Sequence, residues 1–213
     1  MIHIILAIAI LFSSVFEANA PKIIGFETSI NIFIGVYVVW FLSEIIFNRL
    51  LRSKNNNSKG KDKGTLNLIW LFIFIAIFLA VYLTNYSLLI AKNVIISYVG
   101  LLIIVIGIVL RIAIIITLGK FFTVDVAISQ NHKLKTDGFY KYLRHPSYAA
   151  SLVSFIGFGI SLNNWASLLV VFFIILIAFL IRIKTEENVL LNYFGTQYLN
   201  YKKNTKKIIP FIY

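Results

Sequence analysis

The sequence predicts an all-α protein, a polytopic integral membrane bundle of about six spans. Three observations carry that class. Of 213 residues, 60% are hydrophobic and only 13% charged, against about a quarter charged in a soluble domain. The apolar residues gather in charge-poor stretches near the ~20 residues that a helix needs to cross the hydrocarbon core. The formal net charge of +12 lies almost wholly between those stretches. This composition excludes a disordered chain, a collagen-like chain and an ordinary water-soluble enzyme. The chain has no Cys, which excludes disulfides, thiolate-ligated metals and a cysteine nucleophile.

The first apolar stretch is 1–16. It is followed by Ala18-Asn19-Ala20, which has the form of a signal-peptidase site. The absence of a basic n-region and the following Pro21 favour a retained first span, with five spans in all if it is cleaved. The second stretch covers 28–47 and passes over Glu44. The third covers 64–91, and the fourth covers 93–118 with Arg111 inside it. The last, 145–181, is too long for one crossing and carries Asn163-Asn164 near its middle, a natural turn. It is expected to form a helical hairpin of two short spans. Ile and Phe occupy every face of these runs, as in lipid-embedded helices, and the alternation of a barrel is absent.

Seventeen of the 20 basic residues fall in three segments, 49–64, 119–146 and the C-terminal part from Arg182. Six spans place all three on one side and leave Lys22 and Lys92 opposite. The positive-inside rule then puts both termini in the cytoplasm. Such clustering is a topology signal rather than a nucleic-acid footprint. The Asn/Ser/Lys-rich run 53–64 reads as a solvated loop, with headgroup recognition as its functional alternative.

Two polar segments exceed what an anchor needs. In 119–145 stand Asp125, Gln130, Asn131, His132, Asp137, Gly138, Tyr140, Arg144 and His145. Thr136-Asp137-Gly138 has tight-turn residues, with Gly suited to positive φ. Pro146 fits the first turn of a helix, with His145 at or near the N-cap. That helix start could be a plain interfacial one with a snorkelling Arg144, or its unpaired N–H groups could meet an anion. The second segment begins at Arg182. Arg182 and Glu186 share one helical face, one turn apart, while Glu187 and Lys184 are expected on another. The pair could simply solvate a helix end. Leu190, Leu191, Phe194 and Tyr198 alternate with Asn192, Gln197 and Asn200 as in an amphipathic surface helix.

Together these segments resemble the isoprenylcysteine carboxyl methyltransferase family. His132-Lys-Leu-Lys-Thr-Asp-Gly138-Phe-Tyr140 followed by Arg144-His-Pro-Ser-Tyr148 is similar to its first signature. Arg182-Ile-Lys-Thr-Glu186-Glu187, then Phe194-Gly195, Tyr198, Tyr201 and Ile209-Pro210, is similar to its second. The resemblance covers about 117–213, and the chain divides into an N-terminal transmembrane region, 1–118, and a catalytic region, 119–213. The latter would hold a cofactor loop, the hairpin 146–184 and the C-terminal amphipathic helix.

The resemblance implies S-adenosylmethionine as methyl donor, with S-adenosylhomocysteine as product, bound by a compact cytosolic C-terminal subdomain. Carried over position by position, the cofactor contacts would be His132, Lys133, Leu134, Lys135, Tyr140, His145, Pro146, Ser147, Tyr148 and Glu186. Lys133 and Lys135 depart from the small or apolar residues of the family, so contacts there would run through the backbone. Asp125 is a further transferred polar contact. Ala149-Ala150 replaces the glycine region after the tyrosine, which alters the width of the substrate entrance. Arg182 would face the acceptor, with Arg182 and Glu186 as the catalytic pair.

The residue chemistry agrees. A carboxylate attacking a sulfonium methyl needs no strong base, only in-line positioning and exclusion of water. An Arg grips a carboxylate in a bidentate fork, and a Glu one turn away can meet the donor's amino group or a ribose hydroxyl. Three scattered His and no Cys give no metal site. Arg111 and Glu44 lie at similar depths. They could pair or snorkel, or Arg111 could bind substrate at a lateral entrance. The expected partners are the bilayer and a lipid or prenylated acceptor, most simply the α-carboxylate of a prenylated cysteine, with no nucleic acid and no obligate protein partner. The alternatives are N-methylation of a phospholipid headgroup amine and a non-enzymatic membrane module. A nicotinamide-dependent reductase lacks its Gly-rich fingerprint here.

Overall fold

The computed structural model describes residues 26–50, 64–84, 94–118 and 134–209. The first span, the Ala18-Asn19-Ala20 site, most of the basic loop 49–64, Asp125, His132, Lys133 and Pro210 lie outside the described residues. Within them the chain is helical: α1 is Phe26–Leu50, α2 Thr65–Leu83, α3 Val94–Leu118, α4 Pro146–Ser161, α5 Trp165–Phe194 and α6 Thr196–Asn204. A one-turn 3-10 helix, Gly138–Lys141, precedes α4. A parallel bridge pairs the backbone of Leu143 with that of Lys206.

Three helices, α2, α3 and α5, are long and apolar enough to cross a membrane, and α1 and α4 contribute shorter apolar stretches. The residues buried in each recur with helical period. Phe33, Tyr37 and Trp40 form the inward face of α1, and Val171, Ile175, Ala178 and Arg182 that of α5. Ile95, Leu102, Val109 and Ile116, spaced by seven along α3, are exposed instead. Apolar side chains facing outward at that spacing suit a helix that meets lipid on one face and protein on the other.

Small residues bring α3 and α4 close. A Cβ built on Gly107 would stand 2.2 Å from Ser154 Oγ, and one on Gly157 2.7 Å from both Gly100 O and Ile104 N. Backbones that approach this closely gain dispersion contacts where lipid removes the hydrophobic drive between helices. Polar side chains add interhelical bonds. Ser167 Oγ donates to Ala80 O at 2.6 Å, and Asn164 Nδ2 to Leu83 O at 3.1 Å, tying α5 to α2. Tyr37 and Ser161 share a hydroxyl bond of 2.6 Å. Trp40 packs edge-on against Phe155, so α1 closes the far side of α4.

The expected hairpin is present. Asn163 adopts φ 57°, a conformation that Asn tolerates better than most residues. Asn164 caps α5 by accepting from Ser167 N at 3.1 Å. One expectation needs correction. The amphipathic surface helix expected over Leu190 to Asn200 is split, because α5 continues unbroken to Phe194 and Thr196–Asn204 forms a further helix. At 1.5 Å per residue the 30 residues of α5 extend roughly 45 Å, well beyond a hydrocarbon core of about 30 Å. The break falls at Gly195, whose φ of 55° and ψ of −125° belong to a region that is essentially glycine's alone.

Candidate active site

The polar end of α5, the start of α4, the 3-10 turn and the tail after α6 converge. Gly138 takes the positive φ its turn predicted, 58°. Pro146 opens α4 with His145 at the N-cap, as expected from proline's missing N–H. Arg144 N donates to Lys206 O at 2.8 Å, His145 N to Lys207 O at 3.1 Å, and Lys206 N to Tyr142 O at 3.0 Å. The tail is thus strapped to the loop before α4. Tyr201 adds to this by donating its hydroxyl to Tyr140 O at 2.7 Å.

Two adjacent glutamates organise the cluster. Glu186 is partly open, its side chain 32% exposed, and its Oε2 accepts from the Tyr148 hydroxyl at 3.1 Å. Glu187, on another face of the helix as expected, is the buried one, at 8%. Its Oε1 accepts from Arg144 Nε at 2.9 Å, and its Oε2 pairs with Lys202 Nζ at 2.9 Å. His145 lies between the two acids, with Nε2 at 3.4 Å from Glu187 and Nδ1 at 3.9 Å from Glu186. Arg144 Nη1 also donates to the carbonyls of Lys202 and Thr205. A buried charge network of this kind offsets its desolvation only when its members are mutually satisfied, and here the cations converge on one carboxylate.

Arg182 lies one turn below Glu186 and is 1% exposed. Its Nη1 donates to the hydroxyl of Thr65, the first residue of α2. Arg111 donates to the Glu44 carboxylate, joining α3 to α1, so the structural pairing weighed from sequence is formed. Lys135 pairs with Asp137 at 3.0 Å, an exposed contact. Leu134 begins the described stretch, half-buried. Ser147 is half-buried beside the buried Pro146. The ring centroid of Tyr148 stands 5.9 Å from His145 and 5.2 Å from Phe179.

Burial pushes the Tyr140, Tyr198 and Tyr201 hydroxyls above the ordinary tyrosine value. The Glu186 charge adds to the rise for Tyr140, and those of Glu187 and Glu186 for Tyr198. They therefore stay neutral as hydrogen-bond donors at any physiological pH. The Tyr198 hydroxyl is buried and has no hydrogen-bond partner among the described residues.

The structure therefore brings His145, Tyr148 and Glu186 together, with Arg182 a turn away. It does not describe His132 or Lys133. Sequence reasoning missed Glu187, Lys202 and Thr205 as organisers. The signal it had was the acidic doublet at the end of an otherwise apolar helix.

Comparisons with known proteins converge on one family. The sequence profile of the isoprenylcysteine carboxyl methyltransferase (ICMT) family matches residues 99–192, which include Arg144-His145-Pro146 and Arg182 to Glu187. Protein-S-isoprenylcysteine O-methyltransferase B of Arabidopsis thaliana is 36% identical over 119 residues, 55% of this chain and 60% of that protein. The protein-S-isoprenylcysteine O-methyltransferase of Mus musculus is 37% identical over 118 residues, 54% of this chain and 42% of that protein. The chain thus spans less than two thirds of the length of these relatives. Its fold is similar to the solved structure of the eukaryotic intramembrane Ras methyltransferase ICMT, with TM-score 0.61 and 26% identity over 95% of this chain and 73% of that one. The resemblance first read from two short motifs therefore extends to the family profile, to homologous sequences and to the fold.

Proposed function

We propose that the chain transfers a methyl group from S-adenosylmethionine to a lipidic carboxylate, most simply the α-carboxylate of a prenylated cysteine. The observation that carries this reading is the stacking of opposite charges on α5. A partly open acid, Glu186, sits one turn from a buried cation, Arg182, an axial rise of about 6 Å. A methyl donor with a cationic amine and an anionic acceptor need such a pair. The similarity to named isoprenylcysteine methyltransferases supports both substrates.

The residues present fit that donor. Oε1 of Glu186 accepts no hydrogen bond among the described residues, so it can take an ammonium or a ribose hydroxyl. Tyr148 holds the other oxygen. When bound, S-adenosylmethionine supplies an electrophilic methyl on its sulfonium. The chain's part is to bind and orient. Tyr148 and His145 offer ring faces and polar atoms beside Glu186. Arg182, in low-dielectric surroundings that strengthen its attraction to an incoming anion, orients the acceptor carboxylate. No residue has to remove a proton, because the acceptor is already ionised. The apolar faces of the helices keep the prenyl tail out of water.

This reading has six spans, with both termini and the charged end of α5 on the cytosolic side and a catalytic region, 119–213, that combines the cofactor loop, the hairpin and the C-terminal helix. Seventeen basic residues on that side support the orientation through the positive-inside rule. Because the chain has no Cys, the single variants Ser58→Cys, Lys92→Cys and Asn204→Cys would report sidedness directly to an impermeant thiol reagent. Labelling of Lys92→Cys from the cytosolic side would overturn the topology.

The activity is tested with purified protein in nanodiscs, tritiated S-adenosylmethionine, and either a farnesylcysteine analogue or phosphatidylethanolamine as acceptor. Label is expected in the prenylcysteine ester. Label in the amine headgroup alone, or no donor binding by calorimetry, would reject the reading.

A further inference from the structure

We propose that Glu187 is a positioning residue, a clamp that sets the donor site by holding the loop before α4 and the C-terminal strap against α5. The inference rests on the donor reading above. It starts from the geometry of one carboxylate. Glu187 receives Arg144 at 2.9 Å from the loop, Lys202 at 2.9 Å from α6 and His145 at 3.4 Å from the cap of α4. These residues are 43, 15 and 42 positions away in sequence, so a single side chain of α5 ties that helix to two distant segments, the start of α4 and α6.

The joint reaches the proposed donor site through contacts. His145 stands between Glu187 and Glu186, its ring lies tilted 5.9 Å from that of Tyr148, and the Tyr148 hydroxyl donates to Glu186. Glu187 itself is buried, whereas Glu186 is partly open. The two neighbours therefore divide the work, with one facing the ligand and the other fixing the frame around it. The strap adds the second half. Arg144 is held by Glu187 while its backbone N–H binds Lys206 O at 2.8 Å and its guanidinium reaches the carbonyls of Lys202 and Thr205. Without the Glu187 charge, Arg144 and Lys202 would lose their shared counter-ion, and the strap and His145 would lose their common anchor.

The test compares Glu187→Gln with Lys202→Met, a milder loss at a half-exposed partner, and with Lys203→Met as an exposed control. The readouts are donor KM, acceptor KM and amide hydrogen exchange in nanodiscs. A displaced catalytic frame costs up to on the order of 100-fold in rate when groups shift by 1 Å. The expectation is a donor KM raised at least about tenfold in Glu187→Gln, with acceptor KM nearly unchanged. Exchange should accelerate at Arg144, His145 and Lys206 and remain unchanged within α2 and α3. Lys202→Met should follow the same pattern less strongly, and Lys203→Met should match the parent. Unchanged donor KM with unchanged exchange overturns the clamp. So does an equal rise in both KM values with faster exchange throughout the bundle, which would mark a general loss of fold. If the parent transfers no methyl group to any acceptor, the donor reading falls, and exchange at those three amides still decides whether Glu187 holds the strap.

Discussion

The Arg182 guanidinium, buried at 1% exposure, donates to the hydroxyl of Thr65, a residue 117 positions earlier at the start of α2. The cation at the centre of the proposed acceptor site is thus oriented from a different helix. Thr65→Val removes that acceptor while keeping shape. It should cost about 1–3 kcal/mol of stability and raise acceptor KM several-fold with donor KM unchanged. Steady-state kinetics with a farnesylcysteine analogue, beside thermal melts, would check this. A donor-side effect instead would detach Thr65 from Arg182's role.

Glu186 and Arg182 should separate in function. Glu186→Gln is expected to weaken donor binding by calorimetry, and Arg182→Ala to impair acceptor use while donor affinity persists. Tyr148→Phe removes the 3.1 Å bond to Glu186, worth about 0.5–1.5 kcal/mol or a few-fold in donor affinity. Equal losses of donor and acceptor binding in both Glu186→Gln and Arg182→Ala would refute the division.

The α3–α4 contact should be sharply intolerant of added volume. Gly107→Ala would place its Cβ 2.2 Å from Ser154 Oγ and 2.7 Å from Ser154 N. Backbone cannot yield there cheaply, so a loss of about 3 kcal/mol is expected. Gly35→Ala, with nothing within 4 Å of its Cβ, should be neutral or gain about 0.5–1 kcal/mol. Melting in detergent, read on both variants together, distinguishes the close approach from a general preference for glycine.

The Glu44–Arg111 pair makes a prediction in double-mutant form. Glu44→Gln or Arg111→Leu alone strands a charge in a partly buried place and should cost about 3 kcal/mol. The double variant Glu44→Leu with Arg111→Leu should recover most of that loss. Activity that stays low in the recovered protein would place Arg111 at the acceptor entrance. Full activity would leave it as a helix-to-helix tie.

Alkaline stability follows from the buried tyrosines. Tyr140 and Tyr201 have raised values because burial disfavours the phenolate. Their contribution is therefore complete below the unfolded value near 10 and is lost as pH rises above it. Unfolding and tyrosinate absorbance should appear together above that pH, and Tyr140→Phe should reduce the loss. Tyrosinate absorbance rising fully while the fold persists would contradict this.

Much of the architecture was legible because it is local. Apolar runs, Asn163-Asn164, Pro146 and the Thr136-Asp137-Gly138 turn each specify backbone through nearby residues, and the helices and hairpin follow. Arg182 and Glu186 were also readable as neighbours, since a spacing of four fixes one helical face. Which neighbour of the acidic doublet turns inward was not legible. On a helix apolar all round, periodicity barely distinguishes faces, and the choice belongs to whatever packs against them. Burial of Glu187 depends on Arg144 and His145 arriving from the start of α4 and Lys202 from α6, and the setting of Arg182 depends on Thr65. The sequence by itself determined the apolar helices, the turn between α4 and α5 and the charged end of α5. Only the tertiary structure decided which charge meets which, because pairing energies depend on distances across the bundle that no local pattern encodes.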